Sequence, residues 1–161
     1  MATHTFKGFG TLKTPQDLLR KLRHDFGHMQ SDPSDEYAAF DFFVSAYHML
    51  DWLHCKDKKA KAAEEKRTPL LQVCSHLANG AKHFEATMKH HKAVCDVVAQ
   101  EGKFFGGKFF GGGFYDTLCV HLDEHTASLL GVGVEILAVE LASKVLAFWE
   151  ADPRLIKTPL P

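Results

Sequence analysis

The sequence contains no Cys-x-x-Cys pair. Its four cysteines, at 55, 74, 95 and 119, fall too far apart for a zinc ribbon or a thioredoxin-type redox pair and are too few for a dense disulfide framework. Reduced thiols in a cytoplasmic setting are the expectation. An excess of charge is also missing: nineteen basic and twenty acidic side chains leave a formal charge of -1. No net positive field draws the chain to nucleic acid or to an anionic membrane, so any such contact must be local. The opening Met-Ala-Thr-His-Thr-Phe-Lys lacks the apolar core of a signal peptide, and Glu135, Glu140 and Lys144 interrupt the greasiest stretch before it reaches membrane-spanning length. Neither secretion nor membrane insertion is expected. Absent, finally, are the Gly-x-x-x-x-Gly-Lys-Ser/Thr loop, the strand-borne Gly-x-Gly-x-x-Gly turn and the Gly-x-Ser-x-Gly elbow, which excludes the nucleotide-binding and hydrolase folds built on them.

What is present is enough apolar material, 45% of 161 residues, for one packed core, and residues 1–161 are read as a single domain. The pattern predicts a mainly α protein, a four-helix bundle with a small inserted antiparallel β-hairpin. Pro15 after Thr14, Asp17 in the first turn, and Leu18, Leu19, Leu22 and Phe26 at helical spacing predict a first helix over about 15–29. The Ser31 to Asp35 turn then offers caps for a second, over about 35–55. The Lys/Glu/Ala mixture of Lys56 to Arg67 reads as a poorly packed connection. Thr68-Pro69 opens a third helix to about 98, in which Gly80 costs roughly 1 kcal/mol against alanine and suggests close approach of another element. The repeated Lys-Phe-Phe-Gly-Gly of Lys103 to Gly112 predicts a loop or hairpin with covered aromatics. A hairpin over about 114–132, with strands at Tyr115 to Leu122 and Ala127 to Val132, and a last helix over about 134–151, stopped by Asp152-Pro153, complete the order.

The second helix carries apolar side chains round nearly its whole circumference, which predicts burial, yet Asp41, Ser45, His48 and Cys55 lie within about 80 degrees of one another, with Asp51 at the margin. A carboxylate in a core costs several kcal/mol, so Asp41 needs a donor, a pocket or a proton. On the third helix Gln72, His76, Asn79, His83, Thr87 and His90 project to one side, as a solvated face or as the partner of the Asp41 stripe. The 89–92 cluster Lys-His-His-Lys is a local candidate for nucleic-acid contact.

Eleven histidines raise the question of a metal. Residues seven apart on a helix stand about 10.5 Å apart along its axis, so His76, His83 and His90 cannot share an ion. The two His-x-x-x-His pairs are His24/His28, beside Gly27, and His121/His125, over a predicted turn. Random placement gives about 0.7 such pairs, so two carry little weight. Asp51/His54 has the spacing of a carboxylate-bridged site but no Glu-x-x-His partner.

The segments Ala46-Tyr47-His48-Met49-Leu50-Asp51-Trp52 and Leu77-Ala78-Asn79-Gly80-Ala81-Lys82-His83 resemble a pair of motifs in small bacterial proteins that are similar to the HEPN superfamily of helical bundles. The resemblance spans about half the chain. It implies a bundle that often dimerises and, in active members, a metal-independent ribonuclease using Arg, a polar residue that is frequently Asn, a spacer and His. Asn79 and His83 match the last two, but Ala78 stands where the arginine would hold the scissile phosphate. The expectation is therefore a degenerate or non-enzymatic cytoplasmic HEPN-like homodimer, without metal or cofactor. Its cleft between the second and third helices would take RNA or a nucleotide-like ligand, with Asp41, Ser45, His48, Asp51, His76 and Lys82 beside Asn79 and His83. Three alternatives stay open. One is a residual ribonuclease with His83 as general acid or base, Asn79 orienting it or the phosphate, Asp41 tuning a histidine and Lys82 steadying the anion. The others are a structural dimeric interaction module and a His/carboxylate metal-binding bundle.

Overall fold

Thr14 starts the first helix, α1 (Pro15–Ser31), with a reciprocal cap: its hydroxyl accepts from the Asp17 amide at 3.2 Å while the Asp17 carboxylate accepts from the Thr14 amide at 2.9 Å. The Lys13 amide and the Thr14 hydroxyl hold the Asp17 carboxyl down at about 2. The computed structural model describes residues 8–83, 92–104 and 114–156, with side chains for all of these except 81–83, 101–104 and 114–116. After the turn, Asp35 caps α2 (Glu36–His54) by accepting from the Ala38 amide at 2.9 Å. Asp57 does the same for α3 (Lys58–Arg67), and α4 follows at once (Pro69–His83).

The chain then turns to strand. β1 (Val94–Phe104) and β2 (Phe114–Leu122) pair antiparallel, with Val98 opposite Cys119. A short α5 (Glu124–Leu130) leads to β3 (Glu135–Leu137), which adds to the other edge of β2 with Ile136 opposite Val120, and α6 (Ala138–Glu150) closes the fold. The strand order is β1-β2-β3. The architecture is mainly helical: four principal helices, α1, α2, α4 and α6, with an antiparallel hairpin inserted before the last.

One core joins the layers. Leu18, Leu19 and Leu22 of α1, Phe42, Phe43, Met49 and Leu50 of α2, Leu71, Val73 and Cys74 of α4, and Leu141, Val145 and Trp149 of α6 meet Leu118, Val120 and Leu122 of β2. The sheet is further tied to the α1–α2 turn by the Leu118 amide, which donates to the Pro33 carbonyl at 3.1 Å. Among the described residues no helix is long and apolar enough to cross a membrane.

Several expected boundaries change. Residues 58–67 form a helix, because Asp57 supplies a cap and nearly every residue has high helix propensity. Val94 to Val98 are strand rather than the end of the third helix, since the β-branched run finds a partner in β2. The second expected strand, 127–132, is α5 instead: Asp123 accepts from the His125 and Thr126 amides and Gly131 ends the helix in the left-handed region at φ 64°. The last helix begins at 138, residues 135–137 being β3. α1 runs through Gly27 to Ser31. The Phe/Gly repeat lies outside the described residues from 105 onward, as does 84–91, which holds Thr87 and most of the Lys/His cluster.

Leu50 has no exposed surface, whereas a Cβ added to Gly80 would meet nothing within 4 Å. Leu50→Ala is expected to lower the free energy of unfolding by about 2–5 kcal/mol, and Gly80→Ala to raise it by up to about 1 kcal/mol. Urea titrations of the two variants check both signs.

Candidate functional site

The cleft between α2 and α4 originates in an arc of α2 that finds no cover. Tyr37, Phe40, Asp41, His48 and Asp51 are exposed along it, while Ala39, Phe42, Phe43, Ala46, Met49 and Leu50 are buried on the remaining circumference. Opposite, α4 presents His76, Leu77, Ala78, Asn79 and Gly80, and two of these are too small to fill the gap. Two cavities result, sharing Phe40 and Val44 as walls. The first, of about 490 Å³, runs toward the sheet and is mostly apolar, with Phe43, Leu77, Val97, Leu118 and Val120 in its lining and Glu36, His76 and Asp96 as its polar members. The second, of about 430 Å³, runs toward α3 and is lined by Tyr47, His48, Asp51, Lys61, Ala78 and Asn79.

The second cavity holds a polar relay. Asp51 receives Lys61 Nζ on one carboxylate oxygen at 2.5 Å and His48 Nδ1 on the other at 3.0 Å. Lys61 also stands 4.6 Å from the centre of the Tyr47 ring. Burial is the largest single influence and works against the charges of both Asp51 and Lys61, but the hydrogen bonds and charges of the cluster together outweigh it: Lys61 with His48 holds the carboxyl below its ordinary range, and Asp51 with Tyr47 holds the ammonium above its own. A proton on His48 Nδ1 directed at Asp51 leaves the Nε2 lone pair as an acceptor at the cavity. Asn79 donates back along its own helix to the Ser75 carbonyl at 2.7 Å.

The expected site residues therefore part company. His48, Asp51 and Asn79 come together in one cavity, and His76 lines its neighbour, where His76 Nδ1 accepts from the Val94 amide at 3.0 Å and pins the start of β1. Ser45 is buried at the edge of the arc. Asp41 is a correction. It is exposed, needs no buried donor, and is not part of either cavity lining, because the wheel that groups it with His48 fixes relative angles and not which way the group faces. Gly80 is a second correction: it lines a cavity, and among the described residues nothing comes within 4 Å of a Cβ placed on it. The side chains of Lys82 and His83 lie outside the described residues, so the histidine that the cleft places beside a carboxylate is His48. Sequence reasoning missed Lys61 and Tyr47; the signal was the cap at Asp57, which makes 58–67 a helix able to lay Lys61 across the cleft.

α3 buries none of its residues, and polar contacts hold it. His54 Nε2 lies 2.6 Å from Glu64 Oε2, Arg154 reaches both Glu64 oxygens at 2.6 and 3.0 Å, and Arg154 also grips Asp152. The Tyr47 hydroxyl donates to Glu65 at 3.2 Å. The Arg154 guanidinium holds the Glu64 and Asp152 carboxyls below the ordinary range.

Comparison with protein-family models, with curated proteins and with solved structures gives no match. Among the described residues, the second cavity's own chemistry is hydrogen bonding and charge: the Lys61 ammonium, the Asp51 carboxylate, the His48 imidazole, the Asn79 carboxamide and the rings of Phe40 and Tyr47. Among the described residues no group of three or more His, Cys, Asp or Glu could hold a metal ion. Asp51 and His54 diverge, the first to Lys61 and the second to Glu64. Cys74 is part of the core, and burial pushes its thiol up to about 12, which leaves it inert at neutral pH.

Two outcomes follow from these environments. A carboxyl more acidic in the folded than the unfolded chain adds stability above the ordinary range, about pH 4.5, and loses it as pH falls through the folded value. Glu64→Gln should therefore cost about 1–2 kcal/mol at pH 7, with the gap from the parent protein shrinking below about pH 4; denaturant titrations across pH read it, and a gap that stays constant contradicts the network. Iodoacetamide should label the exposed Cys55 and Cys95 in the native protein and spare the buried Cys74 and Cys119, as peptide mass mapping would reveal.

Proposed function

We propose that the protein is a non-enzymatic, HEPN-like binder of a nucleotide-like ligand, a cytoplasmic homodimer that uses the cleft between α2 and α4. The observation that carries this reading is the pairing of chambers across Phe40 and Val44, one apolar and one bearing Lys61, His48 and Asn79. Each has the size of a small-ligand pocket. A flat base fits the apolar chamber against Phe40 and Phe43, where stacking is worth about 1–3 kcal/mol per base. The sugar and phosphate then meet the ammonium, the imidazole and the carboxamide. Ala78 in place of the arginine favours binding over phosphodiester cleavage. Exposed Tyr37 on α2, outside both cavity linings, supplies an apolar contact for a second copy.

The test is calorimetric titration of the full chain with adenosine and uridine monophosphates, and fluorescence anisotropy with a short labelled single-stranded RNA. Saturable mononucleotide binding is expected, weakened more than tenfold by Lys61→Ala and by Asn79→Ala, with circular dichroism unchanged. Binding that ignores both substitutions, or none at millimolar nucleotide, rejects the reading. RNA cleavage lost in His83→Ala would replace it with the ribonuclease.

A further inference from the structure

The two histidines of α1 make a second, independent site. Because α1 continues through Gly27, His24 and His28 stand one helical turn apart on its exposed face, with ring centroids 4.5 Å apart, ring planes tilted by 56° and the two Nε2 atoms 3.3 Å apart. That separation suits a hydrogen bond between the two rings in the absence of an ion. It is the distance between two nitrogens bound at about 2.0–2.1 Å to one tetrahedral ion, roughly 3.3–3.4 Å.

A neighbouring carboxylate prepares one ring for this role. Asp25 Oδ1 lies 3.3 Å from His24 Nδ1, which favours the proton on that nitrogen and leaves Nε2 as the ligand atom. Asp25 is buried and held in place by Lys21 Nζ at 2.5 Å. The cations nearby are compensated, Lys21 by Asp25, Arg20 by Asp17 and Arg23 by Glu150, so the pair does not face uncancelled positive charge.

We propose that His24 and His28 chelate a zinc-class divalent cation through their Nε2 atoms, with water in the two remaining positions. Imidazole suits zinc, copper and nickel, and the bite matches a tetrahedral ion, which selects zinc. Since the chelate exists only when the helix is formed, the ion also stabilises the folded chain.

Zinc chloride alone is the probe. In calorimetric titrations of the full chain, the protein should bind one zinc in the micromolar range, and Cys55→Ser/Cys95→Ser, which removes the exposed thiols, should bind it equally. His24→Ala and His28→Ala should each weaken binding more than tenfold, with the helical circular dichroism signal kept because both side chains are exposed. Zinc should raise the melting temperature of the parent chain and not that of the double histidine variant. Equal affinity in the double variant, loss of binding with the thiols, or no saturable binding at millimolar zinc each overturns the site.

Discussion

A helix that is apolar round most of its circumference has to be wrapped, and α2 imposes that constraint on everything else. α1, α4 and α6 pack against it along its length and α3 crosses its C-terminal end. Burying Phe42, Ala46, Met49 and Leu50 fully turns one remaining arc outward, the arc that contains Phe40, Val44, His48 and Asp51. The facing stretch of α4 offers Ala78 and Gly80 where larger side chains would have sealed the seam. The cleft is thus a packing remainder: a central helix with more surface than its neighbours can cover, opposed by residues without the volume to close the gap.

The cation of that cleft arrives on the element with the weakest apolar attachment. α3 contributes nothing to the core, so its place rests on Asp51–Lys61, Tyr47–Glu65 and the His54/Glu64/Arg154/Asp152 network. Exposed ion pairs contribute little, about 0–1 kcal/mol, but here Glu64 is mostly enclosed and Asp152 is buried, so each carboxylate is stabilised only while its partner Arg154 stays. α3, with no buried residue of its own, has the least core packing to lose on local opening among the described helices, and Lys61 is carried on it.

Much of the helical frame was legible because its signals are local. Thr14-Pro15 with Asp17, Asp35 before Glu36, and the spacing of Leu141, Val145 and Trp149 each specify an element from a few adjacent residues. The central strand of the sheet was legible at Tyr115 to Leu122, but its partner was not, since Val94 to Val98 becomes strand through a partner more than twenty residues away, and an apolar run has no single period to announce that. Asp123 was read as a turn residue because a turn and a helix cap share the same side-chain chemistry. In the cleft, helical spacing grouped Asp41 with His48 correctly on the wheel, but burial of the group depended on what packs opposite. Lys61 could not be seen at all while 58–67 was read as connection.

The charge around the cleft bears on what it could admit. Lys61 is already balanced by Asp51, and Glu36 and Asp96 stand in the lining of the apolar chamber, so the two cavities together carry more carboxylates than ammonium groups. A run of phosphodiesters, each bringing a negative charge, would need a basic track to release its counterions, and among the described residues the lining offers a single lysine, Lys61. A mononucleotide needs far less: one phosphate that shares Lys61 with Asp51, and a ring that gains from Phe40 and Phe43 without any charge. On the proposed reading, stacking and shape rather than the charge of the described lining would carry the affinity.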